Sequence, residues 1–336
     1  MSRVDRKGWS MQNSLYRWIF YIGMLLVIPY VLTMIMSGVT GAGNMEETFQ
    51  SGIQIQVEES EQGEVDLEDY VIGVMASQIP ADYEIEALKG QAIIQRTNIL
   101  NEMEREKTTN AKDLPFTYLS KEEMEKQWGE KNWSDYYARL KSAVSSTKGI
   151  YMTYDGEYIE AYYHPVSIGT TVSAKELLGK EITYLQSVDS SGDVESKDYM
   201  NIQQFDYSYV KQVLLEHNVT VEEDEIKENL QIESKTKLGY VVKLSLGKKE
   251  ITGEEWKEWF SLPSTNFYFE DYEGQLRIIS LGKGRGLGLS QYGANEMAKS
   301  GASYQEILQY YYKEIALNKI TESGNAITRG DENEKK

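Results

Sequence analysis

The stretch GVMASQIPADYEIEALKGQAIIQRT, residues 73–97, sets an amide, Gln78, just ahead of three carboxylates, Asp82, Glu84 and Glu86. Carboxylates so close together could divide acid and base work between them. Gln78 is the sixth of these 25 residues, and its side chain is an amide where its neighbours downstream are acids. An amide neither releases nor accepts a proton near neutral pH; it only donates and accepts hydrogen bonds. The segment therefore poses a choice between cutting a ligand and holding one.

A second constellation is the glycine-rich GKGRGLGLSQYG, residues 282–293, with glycines at 282, 284, 286 and 288. A dinucleotide fingerprint fails there because Leu287 or Leu289 stands in place of its third glycine. A phosphate loop fails because Arg277 occupies its first glycine position. Alternating glycines instead predict a segment stripped of side chains, which a ligand or another backbone can approach closely. Ser290, Gln291 and Tyr292 follow at a helix start, and Ser290 has the type of an N-cap. The chain contains no cysteine and two histidines, His164 and His217. That excludes disulfides, thiolate metal sites and a His-rich zinc centre, and we expect no metal and no cofactor.

The elements that must position these residues follow from patterning. Ile85, Leu88, Ala92 and Ile99 lie on one helical stripe, after a break at Pro80. IQIQV (53–57) alternates as a strand, and residues 149–167 and 265–282 read as hairpins, the first turning at Asp155-Gly156. The acidic run 203–235 reads as helical, residues 238–253 as strands, and the segment after Gly288 as two helices split near Gly301. These elements predict a mixed α+β fold. Tyrosine, at 25 copies, suits strands and also half-wet grooves.

The net charge of −18 argues against a nucleic-acid partner, because phosphate backbones need clustered Lys and Arg. From Trp18 to Val39 run 22 residues without a charge, preceded by Arg3, Arg6, Lys7 and Arg17 against Asp5. This pattern predicts one N-terminal transmembrane helix with its amino end in the cytoplasm, a single-pass cell-membrane protein with an extracytoplasmic bulk. Its length favours a retained anchor over a cleaved signal peptide. The expected layout is a tail at 1–17, a span at 18–39, a linker at 40–51, a globular domain at 52–321 and a disordered tail at 322–336.

Several blocks, in order, resemble the stage II sporulation protein D family, which includes amidase enhancers. LEDYVIGVMASQIPADYEIEALKGQAIIQRT is similar to its N-terminal block, and AYYHPVSIGTTVSAKELLG and YLQSVDS to its central blocks. ITGEEWKEWFSLPSTNFYF and GRGLGLSQYGANEMAKSGASYQEILQYYY resemble the family's later stretches. The resemblance covers about residues 52–315. It implies lytic transglycosylases acting on peptidoglycan glycan strands stripped of stem peptides, during septal thinning and engulfment. It also implies an amidase/endopeptidase partner of the stage II sporulation protein P type and a membrane partner of the M type.

In the family the catalytic acid is the glutamate of AAEMPA; here the matching letters are ASQIPA, so Gln78 stands in its place. Breaking a glycosidic bond needs a proton delivered to the leaving oxygen, and one carboxyl with a raised pKa can give and then retake it. Gln78 would mimic the neutral acid in shape while leaving the reaction undone. Asp82, Glu84, Glu86 and Glu160 are the candidate substitutes; Asp82 could instead cap the following helix, and Glu86 could pair with Arg96. Arg285 replaces a family histidine and could bind a carboxylate such as a lactyl group. Gln291, Tyr292, Ser290, His164 and Ser167 are the remaining substrate-binding candidates, although a lone histidine beside Pro165 is more often structural.

Overall fold

A computed structural model of the chain describes residues 51–58 and 63–320. A short antiparallel pair, β1 (Gln54–Gln56) and β2 (Glu64–Asp66), leads directly into helix α1 (Leu67–Gln78). Asp66 makes the change of direction, its carboxylate accepting from the Glu68 N–H as an N-cap. The helix stops because Ile79 takes the extended backbone favoured before a proline. Helices α2 (Ile85–Glu106) and α3 (Lys121–Ser146) pack on α1 and on each other. A capping box between Ser120 and Glu123 starts α3.

There follow β3 (Ile150–Tyr154), β4 (Glu157–Tyr158), β5 (Tyr163–His164) and helix α4 (Ala174–Leu178). Next come β6 (Met200–Asp206), α5 (Tyr207–Glu216), α6 (Glu223–Asn229), β7 (Leu230–Lys235), β8 (Val241–Leu246) and β9 (Lys249–Thr252). Helix α7 (Gly253–Trp259) and strands β10 (Phe267–Tyr272), β11 (Gln275–Leu281) and β12 (Leu289–Ser290) precede α8 (Gln291–Lys299), α9 (Tyr304–Tyr311) and β13 (Ala316–Lys319). Three antiparallel sheets have the orders β10-β11-β6, β7-β8-β9 and β13-β3-β4. Strand β12 runs parallel to β5, setting Leu289 opposite Tyr163 and Ser290 opposite His164.

Two hydrophobic clusters among the described residues bear on the site. One is built from a single continuous run, with Val210, Leu214, Leu244, Trp256, Phe267 and Ile278 buried together. The other draws on both sides of that run, joining Ile93 and Ile94 of α2 to Met152, Leu287, Leu289, Ala294, Leu308 and Tyr311. The glycine-rich segment is thereby sewn to the loop around β5. Gly288 has φ +74°, and a Cβ there would lie 1.8 Å from the Tyr162 carbonyl oxygen. The close approach expected of the glycines is made by the protein's own backbone, with Leu289 donating to that carbonyl at 3.0 Å.

The α+β class and both hairpins are present. The run 203–235 departs from expectation: it is two helices bounded by β6 and β7, because Leu230 and Ile232 face Leu246 and Leu244 across a sheet. The membrane assignment is corrected. No helix among the described residues is long and apolar enough to cross a membrane. Helix α2, with 22 residues, has the length, but Glu86, Lys89, Arg96 and Glu102 interrupt its apolar character. Residues 18–39, on which the span was placed, lie outside the described residues, as do the tails at 1–17 and 322–336. The single-pass topology and cell-membrane localisation are accordingly withdrawn.

Candidate functional site

Gln78 is the last residue of α1 and lies half-buried in a cleft of about 330 Å³, whose lining includes Ser77, Asp82, Gln127, Trp128 and Tyr136. Its Oε1 accepts from the Tyr163 hydroxyl at 3.1 Å, and its Nε2 donates to Ser77 Oγ at 3.0 Å. Its backbone carbonyl is one of those a helix leaves unpaired at its end. Gln291 Nε2 satisfies it at 2.9 Å across 213 positions of sequence. The glycine motif and the ASQIPA segment therefore meet at Gln78.

Behind this residue is a buried amide cluster. Gln91 and Gln95 lie one turn apart on α2 with no exposure. Gln291 Nε2 also reaches Gln91 Oε1 at 3.3 Å. Gln91 Nε2 and both polar atoms of Gln95 have no partner. Burial raises the Tyr163 phenol pKa, and the nearby Gln95 amide pulls it partly back without forming a well-aligned bond.

Ser167 and Ser290 meet elsewhere, at the fully buried carboxylate of Asp193. Its Oδ2 accepts from the Ser167 N–H and from Ser290 Oγ, each at 2.6 Å, while its Oδ1 is unpartnered. Ser290 Oγ also caps α8, accepting from the Gly293 N–H at 3.2 Å. Both serines have no exposure, so they join the central loop to the glycine motif. His164 is buried beside them, its Nδ1 3.1 Å from the Leu287 carbonyl. A carbonyl only accepts, so Nδ1 carries the proton and the unpartnered Nε2 is bare. Burial pushes the His164 pKa down to about 4, against smaller upward pulls from the Leu287 bond and the Asp193 charge.

Tyr292 is half-buried, and its N–H donates to the Pro165 carbonyl at 3.0 Å. Burial, then the charge of Glu296, raises its phenol pKa. Arg285 is exposed and lies 3.6 Å from Glu254 of α7; it is not part of the cleft lining at Gln78. Of the expected site residues, the structure thus brings Gln291 directly to Gln78, with Tyr163 as an addition.

The alternative acids separate clearly. Asp82 shares the cleft with Gln78. It does not cap α2, whose N-cap residue is Glu84 without a side-chain bond. Glu84 instead donates its N–H to Asn295 Oδ1 at 2.7 Å. Glu86 bonds Lys89 at 2.6 Å and accepts from the Tyr304 N–H at 2.9 Å; burial raises its pKa, but these two bonds bring the net below the usual range. Arg96 pairs with Glu68, at 2.5 Å, rather than with Glu86. Glu160 accepts from the Tyr162 hydroxyl at 2.6 Å.

Sequence reasoning missed Tyr163, Gln91, Gln95, Asp193 and the cleft wall of Gln127, Trp128 and Tyr136. A signal existed for the amides: Gln91 and Gln95 stand four apart beside the apolar stripe of α2. Nothing local marked Asp193. Among the described residues, no group of three or more His, Cys, Asp and Glu is arranged to hold a metal ion.

Fold and site define an α+β protein with an open, mostly uncharged cleft, built where the first long helix ends against a glycine-rich loop. A family model described as "SpoIID: Stage II sporulation protein" matches residues 57–154. The chain is 34% identical over 268 residues to stage II sporulation protein D of Bacillus amyloliquefaciens, covering 76% of this chain and 74% of that one. It is 35% identical over 260 residues to stage II sporulation protein D of Bacillus subtilis (strain 168), covering 74% and 73%. It is 24% identical over 295 residues to the amidase enhancer of Bacillus subtilis (strain 168), covering 73% of this chain and 40% of that protein. The chain belongs to the stage II sporulation protein D family. Membership carries a general peptidoglycan-related role in sporulation.

Proposed function

We propose that this protein binds peptidoglycan glycan strands in the Gln78 cleft and holds them without cutting. The supporting observation is the amide at the position of the family's catalytic glutamate, held by Tyr163 and Ser77 while Gln291 bonds the backbone carbonyl of the same residue. Ser77 Oγ donates toward the Val74 and Thr117 carbonyls, each at 2.9 Å, and so faces Gln78 as an acceptor. A carboxyl in that place meets the acceptor comfortably only when it carries a proton. The surroundings thus suit a neutral group that donates, which an acid catalyst is before it acts and which Gln78 always is. Recruitment or stimulation of an amidase/endopeptidase of the stage II sporulation protein P type, beside an M-type membrane protein, fits a holder better than a cutter.

The second reading is lytic transglycosylase activity through a substitute acid, favoured by the presence of Asp82 in the same cleft. The two are separated by incubating denuded glycan strands with the wild-type chain, Gln78→Glu and Asp82→Asn, with mass spectrometry of 1,6-anhydro ends. The holding reading expects strand binding without anhydro products from wild type, and products from Gln78→Glu that decline as pH rises through the raised pKa of the new carboxyl. Anhydro products from wild type that disappear in Asp82→Asn would establish the second reading.

A further inference from the structure

Helix α3 is not one straight rod. Gly129 has φ 71° and ψ 160°, outside helical geometry, and divides it in two. No atom lies within 4 Å of where its Cβ would be, so glycine is needed there for the backbone angle and not for space. The break has a consequence for three aromatic side chains. Along an uninterrupted helix, residues 128 and 136 would be separated by about 12 Å of axial rise. Here the Trp128 and Tyr136 ring centroids are 5.6 Å apart, edge to face at 85°. The Trp133 ring lies 6.1 Å from Trp128 on another side, stacked at 28°. Trp133 is itself backed by Tyr137 at 4.9 Å.

Both halves of α3 are pinned to the segment that carries Gln78. Before the break, Gln127 Nε2 donates to the Ala76 carbonyl at 3.2 Å. After it, Arg139 donates to the Ala81 carbonyl at 2.9 Å and the Tyr83 carbonyl at 2.5 Å. Trp128 is thereby braced by two aromatic rings and held at one wall of the cleft whose floor bears Gln78. Asp82 is the one charged group among the described lining residues, which disfavours a phosphate-bearing ligand and suits a neutral, hydroxyl-rich one.

We propose that Trp128 is a sugar-stacking platform: it receives the C–H face of a pyranose ring of the strand, next to the sugar that contacts Gln78. Axial C–H bonds make one face of such a ring apolar and slightly positive, complementary to the negative face of indole. Gln127 and Asp82 lie at the edges of the platform, where ring hydroxyls and acetamido groups need partners. Gly129 is the residue that makes the platform, because only the break brings Tyr136 behind Trp128. The inference rests on the glycan-holding reading and adds to it the residue that grips.

The test is binding of denuded glycan strands and of chitotetraose to the full-length chain by calorimetry, with melting temperature recorded for each variant. Trp128→Ala is expected to weaken binding roughly tenfold or more, as loss of a central aromatic anchor does. Trp128→Phe, which keeps a ring, is expected to stay within about threefold of wild type. Gly129→Ala is expected to weaken binding like Trp128→Ala, through displacement of the platform. Wild-type binding together with undiminished binding by Trp128→Ala would overturn the platform and leave the holding function intact. Loss of binding in Trp128→Phe as complete as in Trp128→Ala, at unchanged melting temperature, would also overturn stacking. No binding by wild type would remove the glycan reading itself.

Discussion

Helices α1 and α2 carry two buried polar constellations with opposite character. On one face of α2, Arg96 meets Glu68 of α1, both fully buried and fully matched. Arg96 Nε reaches both Glu68 oxygens at 3.0 and 3.2 Å, and its Nη1 donates to the Ile150 carbonyl at 2.9 Å. Glu68 Oε1 also accepts from the Gly149 N–H at 3.0 Å. On the neighbouring face, one position away in sequence, Gln95 has no partner for either polar atom, and Gln91 lacks one for its Nε2. The ion pair ties α1 and α2 to the start of β3. The amides lie behind Gln291, which links Gln91 to the Gln78 carbonyl. Charges taken out of water must be compensated within the protein, whereas an unpaired neutral amide costs far less. The contrast separates a fully compensated ionic tie from a set of incompletely bonded amides on the same helix.

The Glu68–Arg96 pair breaks most severely. Arg96→Met should destabilise the chain by about 3–5 kcal/mol, because Glu68 is left as a buried, uncompensated charge; urea unfolding followed by circular dichroism measures it. The glycine-loop side has a different signature, in pH. His164 is held neutral with a pKa near 4, below its ordinary value of 6.5, so the unfolded chain binds the extra proton between those limits. Stability from this residue is complete above about pH 6.5 and is lost progressively as pH falls toward 4, by up to about 3 kcal/mol. His164→Gln should flatten that part of the stability–pH curve relative to wild type.

Gln291→Leu removes the donor shared by the Gln78 carbonyl and Gln91, and should cost about 1–3 kcal/mol in the same unfolding assay. Gln95→Leu should have the smallest effect, neutral or stabilising by up to about 1 kcal/mol, because it deletes polar atoms that lack partners. A large loss of stability in Gln95→Leu would mean that the unmatched amide is matched after all and would erase the comparison.

Much of the architecture was legible locally. The turn at Asp155-Gly156 closes where expected, and the second expected hairpin turns at Glu273-Gly274, each turn having two positive-φ residues. Ser290 and Ser303 start α8 and α9 as caps. The ordered blocks marked the family. The run 203–235 was misread because its acidic residues have helical propensity, while its apolar ones are claimed by a sheet. Such long-range pairing overrides local preference.

What the sequence determined by itself was the set of groups able to do chemistry and that position 78 carries an amide, which does not titrate, since side-chain identity alone decides protonation. What only the tertiary structure decided was which groups meet. Gln291 rather than Arg285 reaches Gln78, Glu68 rather than Glu86 takes Arg96, and Tyr162 rather than a ligand fills the space left by Gly288. Trp128 turns to the cleft through a break at Gly129. Caps and turns are settled within a few residues of chain, where sequence distance and spatial distance agree. Contacts between residues 28 or 213 positions apart depend instead on how the cores pack, and no short stretch of sequence contains that information.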